Sequence, residues 1–115
     1  MKLYGIPNCG TVKKARAFLE AHRIAYDFHD FKKSGVREES VDRWLQQTGW
    51  QKLLKKTGPT WSQLPDAVKA SINDDASALA LMLDKPNVIK RPVLEQDGRV
   101  LATGFVEADY ERLFK

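Results

Sequence analysis

One cysteine, Cys9, is the entire thiol content of this 115-residue chain. No internal disulfide is available, which excludes a disulfide-built secreted domain and fits a reducing cytoplasm. Any redox chemistry at Cys9 must take its second thiol from another molecule. The two histidines, His22 and His29, lack the spacing of a metal site, and no metal is expected. No apolar run approaches the ~18 residues that span a bilayer, so no membrane partner is expected. The first strand begins within two residues of Met1, which leaves no room for a signal peptide. A phosphate loop, a zinc motif and a supported Ser-His-Asp set are all missing, as are internal repeats and low-complexity segments. These absences point to one cytoplasmic domain, expected to be monomeric.

What is present is enough for a core. The chain is 43% hydrophobic and carries three Trp, three Tyr and five Phe. Its net charge of +4 suits an anionic small molecule as well as nucleic acid. Direct nucleic-acid binding is not expected, because the charge is modest and no reading helix is recognisable.

The order of elements is legible from periodicity. Lys2 to Ile6 reads as a strand. Val12, Ala15, Phe18 and Leu19 recur at helical spacing, which predicts a helix from Thr11, its cap, to about His22. Ile24 to Asp30 alternates as a second strand, completing a βαβ unit. Lys32-Lys33-Ser34-Gly35 breaks the pattern. Helices follow from about Glu38, over Gln51 to Lys56, for a turn at Trp61 to Leu64, over Pro65 to Ile72 with Pro at its first position, and over Ala76 to Asp84 behind Asp74 or Asp75. Strands return at Val88-Ile89 and Val93-Leu94, and Asp97-Gly98 signals a hairpin to Arg99–Ala102. Val106, Tyr110, Leu113 and Phe114 mark a last helix. The whole chain, residues 1–115, reads as a single α/β domain. It has a thioredoxin-like core (βαβ plus ββα, a mixed four-stranded sheet; 1–30 and 88–115) and an all-helical insertion (31–87).

Two features carry chemistry if that core forms. Cys9 sits at the mouth of the first helix, where unpaired N–H groups and the macrodipole favour thiolate, the nucleophilic form. Pro92 opens the third strand, where this fold usually carries a cis proline beside the active cysteine. A cis bond there would present the Arg91 backbone to an incoming thiol peptide like an extra strand. The Arg91 guanidinium would lower the Cys9 pKa. Lys13, Lys14 and Arg16 place cations early in the helix, against its dipole, a cost that a thiolate or anionic ligand would offset. The plainer alternatives stay open: Cys9 as a small buried hydrophobe, and Arg91 and Lys52, Lys55 and Lys56 as solvated charges. Trp44, Trp50 and Trp61 fit core or cap roles better than a stacking platform.

The segment Tyr4-Gly5-Ile6-Pro7-Asn8-Cys9-Gly10-Thr11-Val12-Lys13-Lys14-Ala15 resembles the active-site segment of the arsenate-reductase-like (ArsC-like) proteins. Ile89-Lys90-Arg91-Pro92-Val93-Leu94 resembles their second signature. The Lys-Lys-Ala and Lys-Arg-Pro details place the resemblance nearest the YffB-type branch, beside the Spx regulators. It implies a thioredoxin-like fold with a helical insertion, and a cysteine that reacts with glutathione or an oxidised substrate. Of the three arginines that hold the oxyanion in the arsenate reductases, the resemblance retains Arg91 and puts Lys55 and Thr103 at the other two positions. Lysine lacks the planar fork of arginine, which weighs against efficient arsenate reduction. Val12 stands where Spx proteins commonly have a second cysteine, so a self-contained disulfide switch is excluded.

The expected function is a glutathione-dependent thiol reductase or transferase with glutathione as co-substrate and no metal. Its substrate would be small or thiol-containing. Cys9 and Arg91 would be catalytic, and Asn8, Gly10, Thr11, Lys13, Lys55, Pro92 and Thr103 would bind substrate or glutathione. The alternative is a non-enzymatic, Spx-like regulator of transcription that binds a protein partner.

Overall fold

Leu3 and Tyr4 are buried in the first strand, β1 (Lys2–Gly5), and everything in the first part of the structure is organised around them. The computed structural model describes residues 1–114. It divides into two compact units, Met1–Gly35 together with the chain from Arg91 onward, and Val36–Lys90.

In the first unit, β1 is followed by α1 (Gly10–Ala21) and by β2 (Asp27–Asp30), which pairs parallel to β1 with Leu3 opposite Phe28 and Tyr4 opposite His29. A helical turn, α2 (Phe31–Ser34), follows. After Val36–Lys90 the chain returns as β3 (Val93–Gln96), antiparallel to β1, and β4 (Arg99–Thr103), antiparallel to β3. The sheet order is β2-β1-β3-β4, a mixed four-stranded sheet of thioredoxin-like type. Asp97 and Gly98 both take positive φ, 52° and 78°, as the tight hairpin turn requires. The last helix, α8 (Glu107–Leu113), brings Tyr110 onto one sheet face. There Leu3, Ala15, Phe18, Leu19, Leu94 and Tyr110 form the core. Phe18 meets Tyr110 edge-on at 5.6 Å, and Phe105 meets it at 4.7 Å. The Tyr110 hydroxyl is buried without a hydrogen-bond partner among the described residues, and burial pushes its pKa up. Glu95 is also buried, and its carboxylate accepts a 3.0 Å hydrogen bond from the Tyr4 hydroxyl.

The second unit is helical: α3 (Glu38–Thr48), α4 (Trp50–Leu53), α5 (Pro59–Ser62), α6 (Asp66–Ser71), α7 (Asp75–Asp84) and a 3-10 turn at Pro86–Val88. Val41, Trp44, Leu45, Leu53, Met82, Val88 and Ile89 are buried within it. Asp74 caps α7 through a reciprocal box with Ser77.

Several boundaries differ from the periodicity reading, each for a local reason. Ile24 to Tyr26 is not strand. The Ile24 N–H is spent on the Leu19 carbonyl at the end of α1, while Ile24 and Tyr26 pack on the core, which produces the apolar alternation without pairing. The helix expected over Gln51–Lys56 stops at Leu53. Leu54 turns extended and bridges Ile89, flanked by Lys55 N–H to Val88 O and Lys90 N–H to Leu53 O, both 2.7 Å. Val88-Ile89 is therefore half of a short rung inside the insertion, not a strand of the sheet. Pro65 precedes α6 as its cap instead of opening it.

Candidate active site

The loop from Ile6 to Cys9 carries the chain off the C-terminal end of β1 and into α1. Gly5 lets the helix approach: a Cβ there would lie 2.8 Å from Val12 Cγ2. Cys9, not Thr11, is the N-cap residue, in extended conformation, and its carbonyl accepts the Lys13 N–H at 2.9 Å. Thr11 lies inside the helix, because Gly10 already takes helical conformation. The register of Tyr4 with Val93 and of Val93 with Thr103 brings the end of β1, the start of β3 and the end of β4 to one edge of the sheet. Arg91 and Pro92 stand at that edge, joined by a cis peptide bond, and the Pro92 carbonyl accepts the Gly104 N–H at 2.8 Å.

The Cys9 thiol closes no full capping bond onto the helix, yet several donors act on it. Partial burial pushes its pKa up. The N–H groups of Val12 and Thr11, the Arg91 side chain as hydrogen-bond donor, and the Arg91 charge together outweigh burial and leave the thiol more acidic than an ordinary cysteine. No acidic residue lies in the first turn of α1 to oppose this.

The structure therefore gathers Cys9, Arg91, Pro92 and Thr103 at one end of the sheet. Asn8, Gly10, Thr11 and Lys13 form an exposed rim beside the cysteine. Lys55 belongs to the other unit, just past α4, where its Nζ lies 3.8 Å from the position of a Cβ on Gly58. The N–H donors expected at the helix start are those of Thr11 and Val12, whereas the reading from residue types missed two parts: the Gly104 anchor on Pro92 and the close approach at Gly5. Only Gly5 left a signal, a glycine at the end of an apolar strand just before the reactive loop. Among the described residues no group of three or more His, Cys, Asp or Glu is placed to hold a metal ion, and no helix is long and apolar enough to cross a membrane.

The chain is similar to known proteins over nearly its whole length. An uncharacterised protein of Haemophilus influenzae is 39% identical over 112 residues, covering 97% of this chain and 96% of its own. The solved structure of the YffB protein superposes with a TM-score of 0.91 at 45% identity, over 99% of this chain and 98% of its own. The global transcriptional regulator Spx of Streptococcus agalactiae is 25% identical over 107 residues, 91% of this chain and 76% of its own. The ArsC family pattern matches residues 4–113, which span both the cysteine loop and the Arg91-Pro92 edge, and the chain belongs to the ArsC family.

Proposed function

We propose that this protein is a glutathione-dependent thiol reductase or transferase with Cys9 as its single nucleophile and arsenate as a poor substrate. The observation that supports this is the acidified Cys9 thiol, held between the amides of α1 and the Arg91 guanidinium. The thiolate attacks an oxidised or electrophilic substrate. With no other cysteine in the chain, an external thiol must resolve the adduct, and a glutathione thiolate does so through a mixed disulfide. Arg91 holds the negative charge of thiolate and ligand, Pro92 borders the docking edge, and Lys13 receives a glutathione carboxylate. The test is incubation with glutathione disulfide followed by intact-mass measurement. Wild type gains one glutathione and Cys9→Ser gains none. A Ser variant that still turns over substrate would sink the assignment.

The likeness to Spx supports a second reading, a protein-binding regulator of transcription. Co-purification of RNA polymerase subunits that survives Cys9→Ser would select it over the enzyme.

A further inference from the structure

Cys9 is half-buried and bordered by exposed residues. Pro7, Asn8, Gly10, Thr11, Lys13 and Lys14 are all exposed, and a methyl group on Gly10 would meet nothing within 4 Å. Sites for small molecules typically bury about 70–90% of the ligand and draw their affinity from the walls. These exposed residues run from the loop along the first turns of α1, so a larger molecule lying across them makes contacts that a small substrate does not reach. The same strip is charged. Lys13, Lys14 and Arg16 precede the first acid of the helix, Glu20. Arg16 is already committed, its Nε donating to the Tyr26 hydroxyl at 3.0 Å and its guanidinium 4.2 Å from the Phe28 ring centre. Lys13 and Lys14 have no ion-pair partner among the described residues. Gly10 and Lys14, four residues apart, share one helical face, which carries the charge directly on from the rim.

We infer that the substrates of Cys9 are mixed disulfides between glutathione and cysteines of other proteins, at sites flanked by acidic residues. This rests on the glutathione-dependent reading above and names its substrate class. The Cys9 thiolate attacks the glutathione sulfur of the mixed disulfide. The old S–S bond breaks, the partner's sulfur leaves as thiolate and takes a proton from water, and glutathione remains on Cys9. A second glutathione thiolate attacks the glutathione sulfur of that adduct, releasing glutathione disulfide and restoring the Cys9 thiolate. The net exchange converts the mixed disulfide and one glutathione into the partner thiol and glutathione disulfide, so the disulfide bond passes from the partner cysteine to the second glutathione.

The probes are glutathionylated peptides of equal length whose cysteine is flanked by acidic, neutral or basic residues, with the mixed disulfide of glutathione and 2-mercaptoethanol as the small reference. Turnover is followed with excess glutathione. The acidic peptide is expected to have the highest kcat/KM, mainly through a lower KM, and raising the salt concentration is expected to shrink its lead. Lys14→Gln should lower the acidic-to-basic ratio, and Lys14→Glu should lower it further, by about fivefold. Equal kcat/KM for the small reference and the acidic peptide, or a ratio insensitive to Lys14, would overturn the inference. If Cys9 takes glutathione from the small reference while showing no peptide preference, the glutathione reading stands and this one falls. If Cys9 takes glutathione from none of them, both fall.

Discussion

Adding one methyl group at Gly5 tests how the reactive loop is built. The Gly5→Ala Cβ would sit 2.8 Å from Val12 Cγ2 and 3.4 Å from Cγ1. Carbon atoms at rest stay about 3.5–4.0 Å apart, so the closest pair overlaps by about 0.7 Å. Val12 has no room to yield: it is fully buried, and a β-branched side chain in a helix holds one rotamer. Overpacking of this kind costs about 1–3 kcal/mol. Gly5 is not among the positive-φ glycines, so alanine fits its backbone, and the stiffer unfolded chain offsets about 0.4–1 kcal/mol. The net expectation is a loss of about 1–2 kcal/mol, read as a lower urea midpoint with an unchanged slope. The strain should also move the Val12 N–H relative to the sulfur and shift the Cys9 alkylation profile to higher pH. Combining Gly5→Ala with Val12→Ala makes room for the new methyl, so the double variant should be less destabilised than the two single losses added together. A Gly5→Ala protein as stable as wild type, or strictly additive losses, would refute the close-approach argument.

Two further outcomes follow from the same structure. The Cys9 thiol is more acidic in the fold than an ordinary cysteine, so its thiolate survives below the ordinary thiol range and is lost only as pH falls through the lowered value. Arg91→Ala removes two of the lowering causes and leaves burial, so the alkylation profile should move to higher pH, with Arg91→Lys recovering part of the shift; an unmoved profile in Arg91→Ala would count against the pairing. Tyr110→Phe deletes a buried hydroxyl that has no hydrogen-bond partner among the described residues and should stabilise the protein by about 1 kcal/mol in thermal unfolding, a result that a clear loss of stability would contradict.

The strand and helix order of the first unit was legible because each element has one apolar face: Leu3 and Tyr4 in β1, Val12, Ala15, Phe18 and Leu19 in α1, Val93 and Leu94 in β3. The misreadings share a cause. Ile24, Tyr26, Leu54 and Ile89 are apolar because they pack, and period alone does not say whether a packed extended residue pairs in a sheet, leaves a helix, or makes a single rung. Cys9, Arg91 and Pro92 could be named from residue type. The acidification of Cys9 relies partly on the N–H groups of Thr11 and Val12, which the place of Cys9 at a helix start implies as a class without naming the donating residues. Thr11 carries the hydroxyl that leads at helix caps, whereas here the thiol residue Cys9 occupies that position.

The first unit is discontinuous in the chain, and this sets an order of events during synthesis. β1, α1 and β2 leave the ribosome together, but the strand that pairs the other side of β1 follows only after the whole of Val36–Lys90. At about 5–20 residues per second that delay lasts several seconds, during which the nascent βαβ half carries β1 with one edge unpaired. Arg91 emerges at the end of the same interval. The cysteine is thus made early and its guanidinium late, so a stalled or truncated chain carries a thiol that lacks part of its acidifying environment. Full nucleophilicity arrives only with a complete sheet.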